Sequence, residues 1–128
     1  MSDETLTILN RYNLLAPAAQ FDMAVLALVR RVEQEGHRGV LSYRFFANPR
    51  EATAQAVIEY ENPTAWIGHH DTSMDWPEMK ALHKVAGLAE VTFLGAFTDE
   101  IEAWLNASSL SARLKTGNRF AAGFTRAK

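Results

Sequence analysis

ATAQAVIEYENPTAWIGHH, residues 52–70, decides the reading of the fold. Its first half alternates: Ala54, Ala56, Ile58 and Tyr60 share one face of a strand, and Gln55, Val57, Glu59 and Glu61 share the other. Asn62-Pro63 then breaks the strand. Asn62 suits a helix N-cap and Pro63 the first helical position, so a short helix should carry Ala65, Trp66, His69 and His70. A strand that hands an aromatic and a histidine to a short helix points to a pocket.

Working outward, residues 39–48 form a second alternating segment, with Leu41, Tyr43 and Phe45 opposed to Val40, Ser42, Arg44 and Phe46. The polar turn Asn48-Pro49-Arg50-Glu51 makes the two segments an antiparallel hairpin. Before them, residues 5–12 read as a strand. Leu6, Ile8 and Tyr12 share a face that Asn10 interrupts. Residues 18–35 read as a helix with Phe21, Val25, Leu28 and Val32 on its buried stripe, and Gly36 as its stop. After the hairpin, Trp76-Pro77 opens a helix with Asp75 as its cap and Gly87 as its end. Residues 90–97 then read as the fourth strand. Thr98 caps an acid-rich helix to about residue 107. Residues 108–118 look like a loop, and residues 119–126, RFAAGFTR, like a fifth, edge strand.

The order is that of a ferredoxin-like βαββαβ fold with an antiparallel sheet, followed by a C-terminal helix and tail. One domain is expected over residues 1–128, with a core at about 4–97 and an extension at about 98–128. Both sheet faces carry apolar residues, so a second layer is required. So little chain is left over that a second copy is the economical layer, and a homodimer is expected.

The chain has 128 residues, a net charge of −2 and mixed acids and bases, which argues against a nucleic-acid surface. The absence of cysteine removes disulfides and thiolate chemistry. Residues 1–6, MSDETL, show no signal-peptide pattern, and no apolar run has membrane-spanning length. A cytoplasmic protein without a membrane partner is expected. No GxSxG, GxxxxGK[ST] or GxGxxG motif is present, and the four histidines show neither HxH nor HExxH spacing, so no cofactor and no metal site are expected.

The element order over residues 6–97, the Tyr60-Glu61 strand end and the Ala65-Trp-Ile-Gly-His69 segment resemble the dimeric α+β barrel superfamily, and within it the antibiotic biosynthesis monooxygenase (ABM)-like domains. The resemblance implies a homodimer with two facing sheets and a pocket between each sheet and its helices. It also implies a cofactor-independent monooxygenase acting on a small planar phenol or quinol. The alternatives are a non-catalytic small-ligand-binding barrel and a haem-binding or haem-degrading member.

His69 matches the family histidine, and an imidazole titrates near neutrality, so it is the candidate base for a phenolic proton. Its plain alternative is a histidine filling a polar niche. Asn10 is the candidate amide for orienting oxygen or a quinone carbonyl; the bland reading is a bond to nearby backbone. Trp66 offers a stacking surface, and Tyr60 and Tyr43 offer hydroxyls from neighbouring strands. Asn10 and Trp66 with a histidine resemble the residue set of the haem-degrading branch. His69 and His70 lie closer to Trp66 than that branch's spacing, which leaves His83 as a looser substitute. His70 is rotated about 100° from His69 on a helix, so it is expected to face solvent.

Overall fold

The computed structural model describes residues 4–127. The elements are β1 (Leu6–Leu14), α1 (Ala18–Glu35), β2 (Val40–Asn48), β3 (Thr53–Tyr60), α2 (Pro63–Ser73), α3 (Pro77–Val85), β4 (Ala86–Leu94), α4 (Asp99–Ala107) and β5 (Arg113–Asn118). They build one sheet in the order β2-β3-β1-β4-β5. The first four strands are antiparallel, in the ferredoxin-like arrangement. β5 lies parallel to β4, so the sheet is mixed, not wholly antiparallel as expected.

The capping chemistry holds where it was legible. Asn62 Oδ1 accepts the Ala65 N–H at 2.9 Å with Pro63 in the first turn of α2, and Thr98 Oγ1 accepts the Ile101 N–H at 3.2 Å. The N-cap of α3 is Trp76, not Asp75, and its ring lies under the Arg31 guanidinium at 4.2 Å. Arg31 also pairs with Glu78 at 2.9 Å, which ties α1 to α3. Gly87 sits inside β4 instead of ending α3, because the chain passes directly from helix to strand at Ala86. At the loop before β2, a Cβ on Gly39 would stand 2.4 Å from Ala65 Cβ, so only glycine lets α2 close on that loop.

The fifth strand lies at residues 113–118, not 119–126. Residues 119–127 form neither helix nor strand. β5 is exposed throughout. It is held by backbone pairing to β4, by Lys115–Glu90 at 3.6 Å, and by Asn118, which donates to the Phe93 carbonyl. Its RLKTGN sequence has no alternation to betray it, and Gly117 takes a left-handed φ of 92°.

The helix-facing side of the sheet is the core. Leu6, Ile8 and Tyr12 of β1, Ala54 to Tyr60 on alternate positions of β3, and Val91 and Phe93 of β4 are buried there with Phe21, Leu28 and Val32 of α1. Among the described residues, α1, α2 and α3 contact the strands from the core side and α4 packs on α2. The opposite face carries Leu9 and Val57 at its centre, with Phe46 and Leu94 exposed. Among the described residues, no helix is long and apolar enough to cross a membrane.

Candidate functional site

The register lays the core side chains out in rows. Tyr43, Ile58, Ile8 and Phe93 form one row across β2, β3, β1 and β4; Phe45, Ala56, Asn10 and Val91 form the next; Ala47, Ala54, Tyr12 and Leu88 form the third. The two alanines of β3 leave room in the middle of the sheet. Tyr12, Phe21 and Phe45 lean over it, with ring centroids 6.3 to 6.5 Å apart. Space remains between these rows and α2.

That space is a hollow in two small lobes. The larger, about 40 Å³, touches Asn10, Tyr43, Tyr60, His69, His70 and His83. The smaller, about 30 Å³, is bordered by Trp66, Phe93 and Leu105. Asn10, Tyr60, His70, Leu88 and Leu110 border both. Each lobe has room for about two or three waters.

All six side chains singled out from the sequence border this hollow: Asn10, Tyr43, Tyr60, His69 and His83 at the larger lobe, and Trp66 at the smaller. They do so on different terms. His69, on α2, is 2% exposed, with its ring centroid 5.3 Å from Tyr43 and 5.8 Å from Tyr60. Burial, with smaller contributions from His70 and His37, pushes its pKa down to about 3, so it is neutral. Its Nδ1 and the Tyr60 hydroxyl are both buried without a hydrogen-bond partner. Such orphaned groups are rare and call for an explanation. Burial holds the Tyr43 and Tyr60 phenols well above their usual range and Tyr12 up to about 12, so all three remain protonated donors.

Asn10 does not bond to neighbouring backbone. Its Nδ2 donates to the Tyr12 hydroxyl at 3.2 Å, which turns the amide along the face of β1. Trp66 is 2% exposed core. Its ring is stacked on His70 at 3.9 Å and meets Trp104 edge-on at 5.3 Å. His83 is exposed at the rim, and partial desolvation lowers its pKa.

His70 overturns the expectation that it faces solvent. It is half-buried between Trp66 and Trp104, and it borders the hollow together with His69. The rotation argument missed this because α4 covers α2 on that side, with Trp104 Nε1 donating to Asp71 at 2.8 Å. His70 Nδ1 lies 2.7 Å from the Trp66 carbonyl oxygen, an acceptor, so Nδ1 carries the proton. Burial pushes the pKa of His70 down to about 4. The ring is therefore neutral, with its lone pair on Nε2. Only the Trp66-to-His70 spacing, one helical turn, carried any sign of this in the sequence.

Among the described residues, no group of three His, Asp or Glu side chains is arranged to hold a metal ion. A haem macrocycle is larger than the hollow as it stands, and His69 is enclosed.

No known protein-family profile and no curated protein matches the sequence. Solved structures do. SnoaB, a cofactor-independent oxygenase from Streptomyces nogalater, superposes with a TM-score of 0.63 at 12% identity, covering 74% of this chain and 95% of SnoaB. A Caulobacter crescentus CB15 protein provisionally assigned as an antibiotic biosynthesis monooxygenase gives 0.62 at 19% identity, covering 75% of this chain and 92% of that one. MupZ from Pseudomonas fluorescens gives 0.68 at 13% identity, covering 98% of this chain and 91% of MupZ, so that likeness takes in the C-terminal segment. At these identities the likeness establishes the architecture: the chain has the ferredoxin-like α+β fold of antibiotic biosynthesis monooxygenase-type proteins.

Proposed function

We propose that the chain is a cofactor-independent monooxygenase of ABM type that acts on a small planar phenol or quinol held in the hollow between sheet and α2. The observation that carries this is the orphaned pair, Tyr60 Oη and His69 Nδ1, on two residues that border the same hollow. A substrate hydroxyl satisfies both at once by donating to His69 Nδ1 and accepting from Tyr60. SnoaB, which shares the fold, is a cofactor-independent oxygenase.

His69 then serves as the base. A neutral buried imidazole is weakly basic alone, but a phenolate forming beside it stabilises the imidazolium, and Tyr60 donates to the new anion. Water exclusion by Trp66, Phe93 and the tyrosines strengthens each of these interactions. The anion supplies electrons to O₂. A ring C–H becomes C–O and the ring ends as a quinone; four electrons leave the substrate, and the two oxygen atoms end in the new carbon–oxygen bond and in water. Asn10, turned by Tyr12, presents its amide to the oxygen-bearing side of the ring, and Tyr43 closes the hollow toward β2. A planar ring needs the two lobes merged. Leu110, between α4 and β5, borders both, so displacement of residues 108–112 admits the substrate.

The uncovered sheet face around Leu9, Val57, Phe46 and Leu94 supports a homodimer as the working form. The test is oxygen uptake with a panel of quinols. Wild type consumes oxygen with at least one of them, and His69→Ala lowers the rate at least 100-fold. Equal rates remove His69 from the chemistry, and no uptake with any quinol removes the reading.

A further inference from the structure

Oxygenation of a ring in the hollow, the reading on which this inference rests, removes two hydrogens from the substrate. One is the hydroxyl hydrogen, and the other is that of the ring carbon that gains oxygen. His69 takes the first. It also returns it, because the bond between the ring carbon and O₂ creates a peroxide anion, which takes the proton back from the imidazolium. The ring carbon then carries both its hydrogen and a hydroperoxide. A second base has to remove that hydrogen as the O–O bond breaks.

Asn10, Tyr60, His70, Leu88 and Leu110 border both lobes, so they flank a ring that spans them. Of these, His70 alone offers a basic lone pair. Asn10 is an amide, Tyr60 stays a protonated phenol, and the other two are aliphatic. His83 borders only the larger lobe, from its exposed rim. The rings of His69 and His70 lie 5.2 Å apart between centroids, on the scale of one aromatic ring. His70 is also held in a fixed orientation. Its Nδ1–H donates to the Trp66 carbonyl at 2.7 Å, its ring stacks on Trp66 at 3.9 Å, and Trp104 closes it edge-on at 5.2 Å. Asp71 fixes Trp104 in turn by accepting its indole N–H at 2.8 Å. Burial disfavours a proton on the ring, while the Trp66 carbonyl and the Asp71 carboxylate favour one. Nδ1 is committed, so the group left for chemistry is Nε2.

We propose that His70 is the second base and that its Nε2 takes the ring hydrogen as the hydroperoxide collapses. The C–H electron pair becomes the second carbon–oxygen bond of a carbonyl. The O–O pair leaves with the outer oxygen as hydroxide, and Nε2 carries the proton. The hydroxide then takes that proton and becomes water. The carbonyl and the water hold the two atoms of O₂, the substrate has supplied all the electrons, and both histidines end neutral. The division of labour follows from position: His69 serves the oxygen end of the ring in the larger lobe, and His70 serves the carbon at the junction of the lobes.

Two variants test this. His70→Phe keeps an aromatic ring between Trp66 and Trp104 and removes both nitrogens. His70→Gln keeps a donor for the Trp66 carbonyl and removes the base. Oxygen uptake, quinone and organic hydroperoxide are measured together in acid-quenched samples of the full chain with a quinol, and near-ultraviolet circular dichroism follows the packing. Wild type gives one quinone per O₂. A folded variant should still take up oxygen, while its yield of quinone per O₂ falls at least about tenfold and hydroperoxide makes up the difference. A merely structural role would lower uptake and quinone together and leave their ratio at one. An unchanged ratio in a folded variant, or loss of uptake and quinone in parallel through unfolding of both variants, overturns the role of His70 and leaves that of His69 standing. A wild type that takes up no oxygen overturns the oxygenase reading, and this role with it.

Discussion

Tyr60→Phe removes one oxygen and nothing else. The ring of Tyr60 is fully buried between Leu6, Val40 and α2, and its hydroxyl has no partner. A buried, unsatisfied hydroxyl costs about 1 to 3 kcal/mol. Removing it from the free protein should therefore raise stability by about that amount, or roughly 4 to 12 °C in melting temperature for a chain of this size. The same change should raise the KM for a quinol or lower its turnover at least tenfold, because the hydroxyl is the donor to the substrate oxygen. Calorimetry with and without ligand, alongside oxygen uptake, gives both numbers. A loss of more than about 1 kcal/mol in the free protein would mean that the hydroxyl already has a strong partner, and the orphan argument would fail.

Acid should destabilise the fold. The native pKa of His69 is about 3 and the unfolded value about 6.5, so between these the unfolded chain binds the extra proton. Stability then rises with pH through that window and is level above it. From pH 7.5 to pH 5, His69 alone removes about 2 kcal/mol, measurable by urea midpoints. His70 adds to the slope with the same sign, and the same titration of His69→Leu should be shallower by one proton. Ala56→Leu should fill the space between Phe45 and Asn10 at a cost of about 1 to 3 kcal/mol. It should abolish ligand binding by isothermal calorimetry with the far-ultraviolet spectrum intact.

The fold was legible because its signals are local. The alternation of residues 54–60, the Asn62-Pro63 cap and the α1 stripe each specify an element through its own residues, and the order of the elements specifies the topology. β5 was not legible, because a solvated strand held by backbone pairing to β4 needs no side-chain period. The polar residues of the hollow could be named from the sequence, since an amide, tyrosines and histidines on apolar faces stand out. Their partners could not. That Asn10 turns to Tyr12, that His70 is folded inward under Trp104, and that Tyr60 and His69 are left without partners are all consequences of packing between distant segments.

The central claim is that the orphaned pair receives the substrate oxygen. An anaerobic complex with a quinol, solved by crystallography, tests it most directly. The account predicts the ring between the sheet and α2, with one hydroxyl about 3 Å from both Tyr60 Oη and His69 Nδ1 and Leu110 displaced. A quinol bound only outside the hollow, or a hollow that stays closed at saturating ligand, would contradict it.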